Sequence, residues 1–248
     1  MNSRSYSEAV REATGWWGTF PLDLPLKVGD IVEMNQEGFI VRVGSLLNWP
    51  GWGAAMPIDS EPVTAANSWS RHAAKNCLAA AQGGVAAVDG SARGAIQVLF
   101  SQEAGFLLDY FGGKYLRLRD VTAAKRAVLG LAKNGEWDIK NVLVSEVFEA
   151  SPATVLVSSA RNVRIELSAR VTVPADLKAV NLSDPQFSFS VSSADEGVYH
   201  SVSKVAYPLY HCIKIRATWF GGHFAELQAD GNVNVDDAFT DMPFDDHV

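Results

Sequence analysis

Residues 162–173 read Asn-Val-Arg-Ile-Glu-Leu-Ser-Ala-Arg-Val-Thr-Val, and every second position is apolar. Val163, Ile165, Leu167, Ala169, Val171 and Val173 fall on one side. Asn162, Arg164, Glu166, Ser168, Arg170 and Thr172 fall on the other. Successive side chains of a strand point to opposite faces, whereas a helix would scatter these residues around its circumference. The segment is therefore a strand with one apolar and one polar face. Two environments suit such a strand. One is a half-buried antiparallel sheet, which the alternation by itself favours. The other is the wall of a membrane barrel, whose crossing strands need about 9–11 residues.

The other elements follow from period and punctuation. Residues 3–14 predict a helix with a stripe at Tyr6, Ala9, Val10 and Ala13, and Ser5 and Glu8 stand at capping-box spacing. Residues 26–34 and 39–43 predict a hairpin around Asn35-Gln36-Glu37-Gly38, and 48–62 reads as loop. Residues 73–100 fit either a helix from Ala73 to Ala81 or a hairpin of small-residue strands. Gly83, Gly84, Gly90 and Gly94, with the alternation of Ile96, Val98 and Phe100, favour the hairpin. Residues 106–119 predict one or two strands interrupted at Gly112-Gly113. Residues 121–133 predict a helix capped by Asp120 and stopped by Asn134-Gly135. Residues 141–149, 153–158 and 205–216 predict strands, and Phe187, Phe189 and Val191 repeat the alternating pattern.

Composition excludes several classes. The 28 acidic and 21 basic side chains leave a net charge of -7, which argues against general nucleic-acid binding. Cys77 and Cys212 stand far apart and make no metal-ligand spacing, so two buried thiols in a reducing compartment are expected. The charged N-terminus is not a secretory signal, and no apolar run is long enough for a transmembrane helix. No nucleophile elbow, phosphate loop, dinucleotide fingerprint or zinc-protease motif occurs, and the five histidines lack partners at metal spacing. His211 and Cys212 are adjacent on a predicted strand and point to opposite faces. Asp236-Asp237 and Asp245-Asp246 lack the spaced ligands of a calcium loop. No cofactor, no metal and no catalytic residue is expected.

Two further features bear on function. Lys114, Arg117, Arg119, Lys125, Arg126 and Lys133 form a basic segment in an acidic protein. It reads as a solvated face or as a contact for an anionic leaflet, where each such side chain is worth about 1 kcal/mol. Trp16, Trp17, Trp49, Trp52 and Trp69 suit either a core or a bilayer interface. The tail from Asp230 to Val248 carries six aspartates and reads as mobile or loosely docked.

The order of these elements resembles the pore-forming domain of gasdermins. There, too, a basic helical stretch leads into a "VVTEV"-like strand, whose place is taken here by Leu143-Val144-Ser145-Glu146-Val147. The final strand, Leu209 to Arg216, is similar to the closing strand of that domain. The likeness covers roughly residues 3–216. It implies an α+β fold, a twisted, mainly antiparallel sheet with surrounding helices, in a domain over 1–229 followed by an acidic tail over 230–248. It implies a cytoplasmic form that moves to the membrane, binds acidic phospholipids, assembles into a ring and rebuilds two hairpins as a β-barrel pore, causing cell death. The basic segment would touch lipid and the 163–173 face would cross the bilayer. A second gasdermin-like variant or an activating protease would be the partner, and no nucleic acid is involved. Two departures stand out. The chain is too short to hold the large C-terminal inhibitory domain of animal gasdermins. It also lacks the N-terminal lipidated cysteine of bacterial members. The tail is a candidate for a short inhibitory peptide. Two other readings stay open: a cytosolic, non-enzymatic binding or immunity-type protein that neutralises a protein partner, and an enzyme using carboxylates such as Glu146 or Glu166.

Overall fold

The computed structural model describes residues 3–34, 40–49, 57–78, 95–169, 180–194, 197–202, 204–216 and 235–241. The fold is α+β and mainly antiparallel. In chain order the elements are α1 (Ser3–Thr14), β1 (Trp17–Gly18), β2 (Asp30–Met34), β3 (Ile40–Ser45), β4 (Ile58–Arg71), β5 (Ala73–Leu78) and β6 (Ala95–Phe100). There follow β7 (Phe106–Leu118), α2 (Val121–Lys133), β8 (Val142–Ala150), β9 (Ala153–Ser158), β10 (Val163–Ser168), β11 (Ser190–Ala194), β12 (Gly197–Val202), β13 (Ala206–Ile215) and β14 (Phe239–Asp241).

The chain divides into two compact units, Met1–Pro25 with Pro62–Lys114 and Glu149–Pro208, and Leu26–Glu61 with Tyr115–Phe148 and Leu209–Val248. Most borders fall inside strands β4, β7, β8 and β13, where no linker composition marks them.

In the first unit α1 buries Tyr6, Ala9 and Val10 as its period requires, while Ala13 is exposed. The Tyr6 ring meets Phe20 and Phe106 edge-on at 5.9 and 6.0 Å. Ser7 Oγ donates to the carbonyl of Gly18 at 2.8 Å, and the Arg11 guanidinium sits 4.7 Å above the Trp17 ring. The helix begins at Ser3, so Ser5 lies inside it and is not its cap. Strand β7 runs unbroken through Gly112 and Gly113, which take φ of 90° and 158°. It pairs with β9, Phe106 opposite Val157, and β9 pairs with β12.

A separate four-stranded antiparallel sheet has the order β11-β10-β6-β5. The apolar side of β10 behaves as its alternation demands: Val163, Ile165, Leu167 and Ala169 are buried with Ile96, Val98 and Phe100 of β6. Leu107, Leu156, Val180 and Leu182 complete that core, with Phe187 and Phe189 packed against it. A Cβ at Gly197 would stand 2.7 Å from Ile165 Cδ1, so any larger residue there would push the Ile165 side chain aside. Val171 and Val173 lie outside the described residues. The strand expected around Phe187 starts only at Ser190, since Ser188 turns left-handed with φ 46°. Val191 lies on the edge strand β11 and is exposed.

In the second unit β2 and β3 form the expected hairpin, and β2 also pairs with β8. Its turn at 35–38 lies outside the described residues. β2 starts at Asp30, later than hydropathy suggests, because Lys27–Asp30 is a turn: Lys27 N donates to Asp30 Oδ2 at 2.9 Å and Asp30 N to Lys27 O at 3.0 Å. Helix α2 has the expected bounds. Asp120 Oδ1 accepts from Ala123 N at 2.8 Å, Gly135 follows the helix with φ 74°, and Ala124, Ala127, Val128 and Leu131 are buried. Of the 230–248 tail, the described residues 235–241 are docked: β14 pairs with β13, Ala238 and Phe239 are buried, and Arg216 Nε donates to Phe239 O at 3.0 Å. This differs from the loose tail expected from charge, since two apolar residues and a strand pairing outweigh the solvation of the flanking aspartates.

Candidate functional site

The four-stranded sheet is two hairpins laid side by side. In register, Lys75, Val98, Ile165 and Ala194 form one row. Leu78, Ala95, Ser168 and Ser190 form the last. Both hairpins therefore open at the same sheet edge, from which residues 79–94 and 169–189 connect their arms. The hairpin reading of 73–100 holds for its described arms. The face opposite the core carries Arg164, Gln97, Glu166 and Ser168, with Gln97 Nε2 3.4 Å from Glu166 Oε1. In β6 and β10 the side toward the core is apolar and covered, while the other carries these polar groups together with Leu99 and Ala95; β11 is exposed along its whole length.

The sequence singled out six cations, and four of them are paired. Arg117 bonds Glu61, and Arg119 Nε lies 2.7 Å from Asp59 Oδ1. Lys125 Nζ lies 2.7 Å from Asp236 Oδ1 and 5.6 Å from the centre of the Phe239 ring. These pairs lie in the second unit. Lys114, in the first, lies 2.8 Å from Glu149. Arg126 and Lys133 stand on the exposed side of α2 and make no ion pair among the described residues. The six therefore do not form one bare basic surface. Their acidic partners lie far along the chain, which local charge counting does not reveal.

Burial shapes the carboxylates of the second unit. Glu146, in the Leu143–Val147 motif, has its pKa raised by burial, against the pull of Arg117 and with a smaller push from Glu61. Asp30 is likewise raised by burial, although the Lys27 N–H and Arg42, 2.9 Å away, favour its charged form. No group of three or more His, Cys, Asp or Glu among the described residues could hold a metal ion. No helix among them is long and apolar enough to cross a membrane.

Of the tryptophans, Trp17 is buried and Trp69 lies against Tyr110 at 5.1 Å. Trp49 lines a hollow of about 420 Å³ with Glu33, Glu136, Trp137 and Asp138. Trp52 lies outside the described residues. Cys212 is buried and His211 partly exposed, in line with opposite strand faces. Strands β4 and β12 escaped the sequence reading. β4 is almost wholly exposed and contains Pro62, so it shows no alternation.

Fold and site together define a mainly antiparallel α+β protein whose smaller sheet is a pair of co-directional hairpins. No family model matches the chain, and no curated protein matches it. Among solved structures it is similar to the cryo-EM structure of the gasdermin A3 membrane pore, at 12% sequence identity and a TM-score of 0.30, over 87% of this chain and 91% of that one. A likeness of that size assigns no residue a role.

Proposed function

We propose that this protein is a gasdermin-like pore former: a non-enzymatic chain that moves from the cytoplasm to acidic membranes, assembles into a ring and permeabilises the bilayer to kill the cell. The observation that carries this reading is the hairpin pair. Two adjacent hairpins, open at the same edge and with central strands that have an apolar and a mainly polar face, are the parts from which a closed barrel wall is built. Only a closed barrel satisfies all strand hydrogen bonds in lipid. The described arms hold six residues in β5, β6 and β10. A crossing strand needs about 9–11, and segments 79–94 and 169–189 supply the remaining length. The Val163–Ala169 face would turn from its present core to lipid, and the Arg164–Ser168 face to the water of the pore.

Exposed Arg126 and Lys133 would make first contact with acidic phospholipid. Lys125 would join them once Asp236 leaves it, so the docked tail competes with lipid for this cation. A protease cutting before residue 235, or a second gasdermin-like variant displacing the tail, would serve as activator. The test is dye release from liposomes with phosphatidylserine against neutral liposomes, using the full chain and a chain ending before Asp230. The expected result is leakage limited to anionic vesicles and faster after truncation. Absence of leakage from either chain on both lipids would overturn the reading.

A further inference from the structure

Asp109 of β7 is completely buried, yet four groups converge on it. Its carboxylate accepts from Ser68 Oγ of β4, from Lys75 Nζ of β5 at 2.8 Å and from the backbone N–H of Leu182 at 2.7 Å. Its backbone carbonyl accepts from Ser183 Oγ at 2.7 Å. Lys75 Nζ makes a second bond to the carbonyl of Val180 at 2.9 Å. Asn181 Nδ2 adds bonds to the carbonyls of Asn67 and Tyr110, both at 3.0 Å. Residues 180–183 are therefore clipped at every position to the strands beneath them, and Val180 and Leu182 insert into the core under the hairpin sheet. All of this lies within the first unit.

The placement of Lys75 is the odd feature. It shares a register row with Val98 and Ile165, on the covered apolar side of the sheet. Replacing a whole buried ion pair by apolar side chains is often neutral or stabilising, so stability alone does not call for a pair there. Removing one partner, by contrast, strands a buried charge. The pair therefore holds only while both partners are in place.

We propose that Lys75 and Asp109 form a latch that sets whether 180–183 is docked. Closed, it ties the first hairpin to the segment that joins the arms of the second and keeps the Val163–Ala169 face covered. Open, it uncovers that face. The consequence for pore formation rests on the proposed function above; the latch itself does not.

Hydrogen exchange on the full chain, read at Leu182 and at α1, tests it together with liposome leakage. Two variants are used: Lys75→Met, which leaves the Asp109 acceptor of the Leu182 N–H in place, and the paired Lys75→Met with Asp109→Asn, which keeps an acceptor oxygen there and leaves no charge stranded. Exchange at Leu182 should quicken by at least about tenfold in both, given the strength of hydrogen bonds to charged groups, while α1 keeps its protection. Leakage should begin sooner. A folded paired variant whose Leu182 amide stays as protected as in the parent overturns the latch. Release of Leu182 with no leakage from parent or variants supports the latch and removes the pore reading instead.

Discussion

Ile165 shows what a single side chain contributes. It is fully buried between the two layers of the first unit, and its Cδ1 closes over Gly197. Ile165→Ala should cost about 2–5 kcal/mol in urea unfolding, as for other large-to-small core changes. Gly197→Ala should cost about 1–3 kcal/mol for the opposite reason, overpacking. Equal stability of either variant and the parent would contradict the packing described. Glu146 supplies a pH signature. Burial raises its folded pKa above the ordinary value of 4.5, so the folded chain holds its proton more tightly than the unfolded chain does. The charged form at neutral pH therefore costs stability, and that cost grows as pH rises through the window between 4.5 and the raised folded value. Glu146→Gln should melt higher than the parent at pH 7, with the gap closing below that window. Parallel melting curves from pH 4 to 8 would refute this assignment.

Among elements, α2 makes the sharpest case. Asp120→Ala should cost about 1 kcal/mol, the usual value of a lost N-cap, measured by chemical denaturation. The functional prediction concerns its outer side. Arg126→Glu with Lys133→Glu should weaken flotation with phosphatidylserine vesicles by at least about fivefold per residue, at about 1 kcal/mol each. Charge removal at Arg117 or Arg119, already paired with Glu61 and Asp59, should change it less. The reverse ranking would move the lipid contact elsewhere. Helix α2 was legible from sequence because cap, period and stop are all local. The same holds for β10 inside its alternating stretch. β4 was not legible, because an exposed strand carries no hydropathy period. Nor was the start of β11, which hangs on one left-handed serine. The hairpin pair was half legible: both arms showed their patterns, but nothing local says that β6 and β10 are neighbours. The state of the basic segment was illegible for the same reason, since its partners Asp59, Glu61, Glu149 and Asp236 come from other parts of the chain.

For the whole molecule, the docked segment 235–241 and the hairpin sheet are the two features that bear on function. A chain shortened before Asp230 loses the Asp236 contact to Lys125 and the burial of Phe239. It should bind anionic vesicles more tightly than the full chain, and the difference should shrink in high salt. Indistinguishable binding would mean that the tail guards nothing. The ladder between β6 and β10 has a further consequence. Phe100 faces Val163 and Ala95 faces Ser168 with no bulge between them, so the two central strands keep equal step along their whole shared length. Any growth past that edge has to recruit one residue from each hairpin for every rung gained. The two arms are geared to one another, and a half-grown intermediate with a single protruding finger would leave its inner side without a mate.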